Sequence, residues 1–181
     1  MKIYEIKNFV RGSDCDKIVD WLIKGQRFEQ FNAGHETFNS RTVPYNKIKD
    51  GEIKQLVNAF RFNATDKVRK NFKEKLYPDY TDLVYWPNGS SMEVHADSVW
   101  LDGSPAIFPH RYATAVTYLN DDYSGGETYF PNFNFHVKPE KGKTVLFLAD
   151  LEHKHGVTTT KGDRYTMPIW FTKQSKKIET E

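Results

Sequence analysis

Tyr112-Ala113-Thr114-Ala115-Val116-Thr117-Tyr118-Leu119 decides how this chain folds. Strand side chains point to two faces in turn, and this stretch alternates while being rich in Thr, Val and Tyr, which suit a pleated, half-buried surface. Working outward, Phe133, Phe135 and Val137 alternate with Asn134, His136 and Lys138, and 144–148 and 165–171 are short apolar runs. Turn signals separate them: Pro87-Asn88-Gly89, Gly125-Gly126, Lys141-Gly142-Lys143 and Lys161-Gly162-Asp163. Short strands at fairly regular spacing, with no helical pattern between them, predict an all-β sandwich or barrel from residue 81 onward.

The first third reads differently. Ser13, Asp14 and Asp16 precede the apolar face of Ile18, Val19, Trp21, Leu22 and Ile23, and the pattern closes at Gly25 as a capped helix would. Residues 26–48 carry no sustained period and read as loop with short strands. Asp50 then opens a second helix whose apolar positions Ile53, Val57, Phe60, Ala64, Val68 and Phe72 form one stripe; it is expected to run to about Leu76, with Tyr77-Pro78 as the stop. The expectation is an α+β, mainly β chain. A single domain over 1–175 has helical support in 1–80 placed outside a β core in 81–175, followed by a frayed polar tail, 176–181.

Composition narrows the function classes. The 181 residues carry 26 Lys+Arg against 24 Asp+Glu, a net +2 that gives no reason to invoke nucleic acid or an acidic membrane face. Only 38% of residues are hydrophobic, but 15% are aromatic, and aromatics build a core from few side chains. No apolar run approaches the ~20 residues of a membrane span, and no secretory signal is visible at Met1. The single cysteine, Cys15, excludes a disulfide framework and any multi-cysteine metal site. A cytoplasmic setting is expected, and any metal must use His and carboxylate.

His95-Ala96-Asp97 follows the strand-like Ser91-Met92-Glu93-Val94. Side chains two apart on a strand share a face, so His95 and Asp97 can point into one cavity. A third ligand would come from His110, His136, His153 or His155. Two His and one carboxylate on one face of an octahedron leave three open positions, the arrangement of non-haem Fe(II) oxygenases. Arg164 enters the strand 165–171 directly after a turn, and an inward guanidinium there needs an anion such as a carboxylate.

Together these residues resemble the prolyl 4-hydroxylase-type branch of the Fe(II)/2-oxoglutarate-dependent dioxygenases. The resemblance covers about half the chain. It rests on Tyr85-Trp86-Pro87-Asn88-Gly89 ahead of His95-Ala96-Asp97, on Tyr118-Leu119-Asn120, and on Ser124-Gly125-Gly126-Glu127. Pro139-Glu140-Lys141-Gly142, and then His155 with Gly162, Arg164 and Trp170-Phe171, complete it. It implies a double-stranded β-helix (jelly-roll, cupin-like) and the metal ligands His95, Asp97 and His155. The family's carboxylate-binding basic residue lies nine or ten positions after the third ligand; Arg164 is nine after His155 and eleven after His153. His153 is left as a solvated turn residue or as a donor behind the ligands. Arg164 would bind the distal carboxylate of 2-oxoglutarate, with Thr166, Tyr85 and Tyr118 beside it. Arg164 stands where collagen-type members carry Lys, which points away from a collagen substrate.

The implied cofactors are Fe(II), 2-oxoglutarate as co-substrate and O2, with ascorbate as reductant. The implied reaction hydroxylates a C–H bond and releases succinate and CO2, with no acid–base residue required beyond the metal centre. The expected substrate is a prolyl or similar residue in a peptide or protein, met by loops 32–46 and 98–111, where Trp100, Arg41 and Arg111 are candidate contacts. The same chemistry on a free amino acid or small metabolite is the alternative. A non-catalytic metal- or ligand-binding module and a zinc hydrolase are further ones.

Overall fold

The computed structural model describes residues 1–25, 29–31 and 40–180; the expected loop stretch 32–39 lies outside them. Along the chain run β1 (Tyr4–Ile6), α1 (Gly12–Gly25), β2 (Glu29–Phe31), β3 (Ser40–Pro44), α2 (Gly51–Phe72), β4 (Tyr77–Trp86) and β5 (Met92–His95). Then follow β6 (Arg111–Tyr118), β7 (Ser124–Gly125), β8 (Thr128–Phe130), β9 (Phe135–Val137), β10 (Thr144–Leu148), β11 (His155–Val157), β12 (Thr160–Lys161) and β13 (Arg164–Thr172). A seven-stranded sheet is ordered β1-β10-β6-β13-β4-β3-β2, a four-stranded sheet β5-β11-β8-β9, and β12 pairs with β7. The pairings are antiparallel, and the two larger sheets form the expected double-stranded β-helix.

Alternation on β13 shows how the layers arise. Tyr165, Met167, Ile169 and Phe171 join the core that α2 covers, whereas Arg164, Thr166, Pro168 and Trp170 face a cavity between the sheets. The stripe Ile53, Val57, Phe60, Ala64, Val68 and Phe72 is buried as its spacing requires. Each fully buried Val or Phe of that stripe contributes about 1.5–3 kcal/mol. The Asp50 carboxylate caps α2, accepting from the Glu52 and Ile53 amides at 3.0 and 3.1 Å.

Three expectations change. α2 ends at Phe72 rather than near Leu76, because Lys73 takes a left-handed cap (φ 56°) that turns the chain. Tyr77-Pro78 therefore opens β4 instead of merely stopping a helix; Pro78 sits where the β4–β13 register shifts, so its missing N–H costs little. The C-terminal stretch is docked rather than frayed. The Glu179 amide donates to Pro78 O (2.9 Å), and its buried carboxylate lies 3.1 Å from the Arg61 guanidinium, which also stacks over Tyr45.

Candidate metal centre

β5 and β11 lie side by side with His95 and His155 as Cα partners, so the two imidazoles project together; their ring centroids are 4.5 Å apart. Each ring is oriented by a backbone carbonyl two residues earlier: His95 Nδ1 meets Glu93 O at 3.0 Å, and His155 Nδ1 meets His153 O at 3.2 Å. With Nδ1 as the donor to a carbonyl, Nε2 is the atom each ring would present to a metal. Asp97 follows β5 and completes the group: donor atoms of His95, Asp97 and His155 all lie within 4.8 Å of one another. Its Oδ2 accepts from the Thr114 hydroxyl at 2.5 Å, and Oδ1 stands 3.9 Å from His95 Nε2.

The electrostatics suit a cation. Burial works against the Asp97 carboxylate, but the neighbouring His155, His95 and Arg111 and the Thr114 bond outweigh it and hold Asp97 below the ordinary carboxylate range. Burial among Phe130 and Phe147, and then the nearby His95, push His155 down to about 4, so it is neutral and able to ligate at physiological pH.

The same cavity, of about 490 Å³, extends to Arg164. That guanidinium is only 1% exposed, stacks 4.4 Å over Trp86, and leaves Nε and Nη1 without a hydrogen-bond partner. Beside it the Tyr123 hydroxyl is also buried without a partner, and burial raises that phenol to about 12, so it is a donor. The glycines of the Ser124-Gly125-Gly126 run allow this closeness. A Cβ on Gly126 (φ +64°) would stand 2.8 Å from Tyr123 Cε2 and 2.9 Å from Arg164 Cδ, and one on Gly125 only 2.0 Å from Thr159 O.

The remaining expected residues divide. Thr166 lines the cavity and accepts from Trp86 Nε1 at 3.0 Å. Tyr118 is buried behind Arg164, 5.4 Å from ring centre to Cζ, with its hydroxyl bonded to Thr128 Oγ1 at 2.7 Å. Tyr85 is not brought to the cavity: alternation turns it to the opposite face of β4, where it stacks on Tyr165 and donates to Asp163 Oδ1 at 3.1 Å. Trp86 takes the place expected of it. Trp100 and Arg111 line the mouth, Arg111 being held between Phe108 and Trp170 and paired with Asp79, so it is not solvated. Arg41, exposed on β3, does not line the cavity. His153 is buried rather than solvated, with Nδ1 on Asp150 and Nε2 accepting from the Lys2 amide. His110 and His136 are engaged by Asp79 and Glu127.

Residues 62–172 match the profile of the 2OG-Fe(II) oxygenase superfamily, and the chain belongs to that family. It is 30% identical over 148 residues, 66% of this chain and 20% of the relative, to prolyl 3-hydroxylase 1 of Gallus gallus. It thus spans about a fifth of the length of the curated relatives it matches first. Among solved structures, the viral collagen prolyl hydroxylase of Paramecium Bursaria Chlorella virus-1, in its 2-oxoglutarate complex, superposes with a TM-score of 0.75 at 19% identity, covering 97% of each chain. A Trichoplax adhaerens prolyl hydroxylase in complex with a hypoxia inducible factor peptide fragment gives 0.73 at 17% identity, covering 97% of this chain and 85% of that one. No helix is long and apolar enough to cross a membrane among the described residues.

Proposed function

We propose that the chain is an Fe(II)- and 2-oxoglutarate-dependent hydroxylase acting on a prolyl or similar residue within a peptide or protein. One observation carries the reading: the cavity that holds the His95–Asp97–His155 donor group also holds a buried guanidinium with partnerless N–H groups. The donor set fits Fe(II), and Arg164 fits one carboxylate of a dicarboxylate. When bound, the iron and 2-oxoglutarate supply oxidative decarboxylation to succinate and CO2 and the transfer of one oxygen atom of O2 to a C–H bond.

The protein's own part is orientation and exclusion of water. The Glu93 and His153 carbonyls fix the imidazole planes, and Thr114 fixes Asp97. Arg164 and the Tyr123 hydroxyl would hold the distal carboxylate, while Trp86 and Thr166 close the wall beside it. Arg111, fixed by Asp79 over Trp170, offers N–H groups at the wall nearer the mouth to a backbone carbonyl of the substrate. The names of the relatives, prolyl hydroxylases, support the substrate class. A reducing, cytoplasmic setting suits the lone buried thiol of Cys15.

The test is mass spectrometry of proline-containing peptides beside free amino acids, with Fe(II), 2-oxoglutarate and ascorbate. Gain of one oxygen by a peptide, with stoichiometric succinate, is expected. Oxidation of a free amino acid alone would replace the peptide substrate by a metabolite. Absence of any iron-dependent succinate would refute the oxygenase reading.

A further inference from the structure

Four large hydrophobic side chains, Trp100, Leu101, Ile107 and Phe108, are exposed within the single stretch 100–108. Ile107 is 67% exposed. An exposed apolar cluster of this kind marks a contact surface, because water gains when it is covered. Trp100, Ile107 and Phe108 line the mouth of the cavity whose depth holds His95, Asp97 and His155.

The loop is held in place. Trp100 N–H donates to Ser104 O (2.8 Å) and Gly103 N–H to Trp100 O (2.9 Å), and Val99 and Pro105 form an isolated bridge. Asp102 accepts from both the amide and the hydroxyl of Ser104, and Ser98 is tied to Ala149 O through its amide and its hydroxyl. This is a preformed platform, which spares a partner the cost of ordering it. The basic side chains beside it, His110 and Arg111, are both engaged by Asp79, so the surface offers apolar contact rather than charge.

The dimensions select the occupant. A cube of the cavity's volume, about 490 Å³, is about 8 Å on edge, and the Arg164 end is left to the co-substrate, so two to three residues of extended chain at ~3.3 Å each reach from the metal group to the rim. A free amino acid seated at the metal would leave the rim uncovered. We infer that the substrate is a peptide segment with a large apolar side chain within three residues of the one hydroxylated, and that this side chain packs on Trp100, Ile107 and Phe108. The inference rests on the hydroxylase reading above.

The experiment uses the full chain with Fe(II), 2-oxoglutarate and ascorbate. The substrates are short peptides with a central proline whose flanking positions are Leu or Phe, Ser, or Lys and Glu, and kcat/KM is read by mass spectrometry. Leu- or Phe-flanked peptides are expected to exceed Ser-flanked ones by about tenfold, what burial of one such side chain supplies, and charged flanks to fall below Ser. Ile107→Ser should bring the Leu-to-Ser ratio close to one. Phe62→Ser, which removes a still more exposed side chain on α2, should preserve it. Because each ratio is taken within one enzyme, a general loss of activity cancels. Equal rates for Leu, Ser and charged flanks, or a preference that survives Ile107→Ser, would overturn the inference and leave the hydroxylase standing. Iron-dependent succinate formation with no peptide of the panel oxidised would overturn it as well, whereas the absence of any succinate would remove the hydroxylase reading itself.

Discussion

Replacing Arg164 by Met should move ligand affinity and ligand-free stability in opposite directions. Met keeps most of the aliphatic stem against Trp86 but removes the guanidinium, whose Nε and Nη1 are buried without partners. Each unsatisfied buried donor costs about 1–3 kcal/mol, so the ligand-free chain is relieved of ~2–6 kcal/mol. Against this stands the loss of the cation–π contact, about 2 kcal/mol in a desolvated site. The net is a ligand-free protein no less stable than the parent; in a chain of this size each kcal/mol gained raises Tm by about 2–4 °C. Binding of 2-oxoglutarate loses one partner of a buried charge pair, about 2–5 kcal/mol, which weakens Kd by about 30-fold to a few thousand-fold. Scanning calorimetry and isothermal titration, with Ni(II) in place of iron to prevent turnover, measure both. The parent should gain about 2.7 kcal/mol at 2-oxoglutarate a hundredfold above its Kd, and the variant at the same concentration about 0.9 kcal/mol or less. A variant that melts lower without ligand, yet keeps the full 2-oxoglutarate shift, would show that Arg164 is a structural group and that another residue holds the carboxylate.

Other substitutions separate metal ligands from their supports. His95→Ala, Asp97→Ala and His155→Ala should each abolish stoichiometric Fe(II) binding by titration, whereas His153→Ala should retain the metal and lower Tm, since its buried ring joins Asp150 to the Lys2 amide. Burial raises the Cys15 thiol to about 12; the folded chain thus resists ionisation that the unfolded chain allows from about 9. The resulting stability is full below pH 9 and is lost as pH rises from 9 toward 12, read as urea midpoints across that window, and a flat profile would contradict the burial of Cys15. Glu179→Ala leaves Arg61 buried without its carboxylate and should cost about 3–5 kcal/mol in urea unfolding, against little change if the tail were undocked.

The β half was legible because its information is local. Alternation at 112–119 set which residues face inward, and the His95-Ala96-Asp97 spacing brought two donors to one place. Register is not local, and it governed what was missed. Trp86, not Tyr85, is the Cα partner of Arg164, and only the β4–β13 pairing reveals which of two adjacent aromatics looks into the cavity. Parity counted from Arg164 would have found Trp170, since 164, 166, 168 and 170 share a face. Tyr123 carried no signal, because its role depends on Gly126 letting the ring lie against Arg164. The docked tail escaped notice for a similar reason: Lys176 to Glu179 reads as solvated until Arg61, 118 residues earlier, supplies a partner for Glu179.

The pairing of β5 with β11 has a mechanical consequence. β5 is the outermost strand of its sheet, joined on one side only, and its bonds to β11 are interrupted by a register shift between His155 and Val157. An ion held between His95 and His155 would therefore act as a rivet across this interrupted seam. Amide hydrogens along 92–95 should exchange fast in the chelator-treated protein and slow sharply on loading, while those of β13, paired on both sides, barely change. The unriveted strand is also an edge open to pairing with another chain, so storage without metal should favour aggregation that begins there.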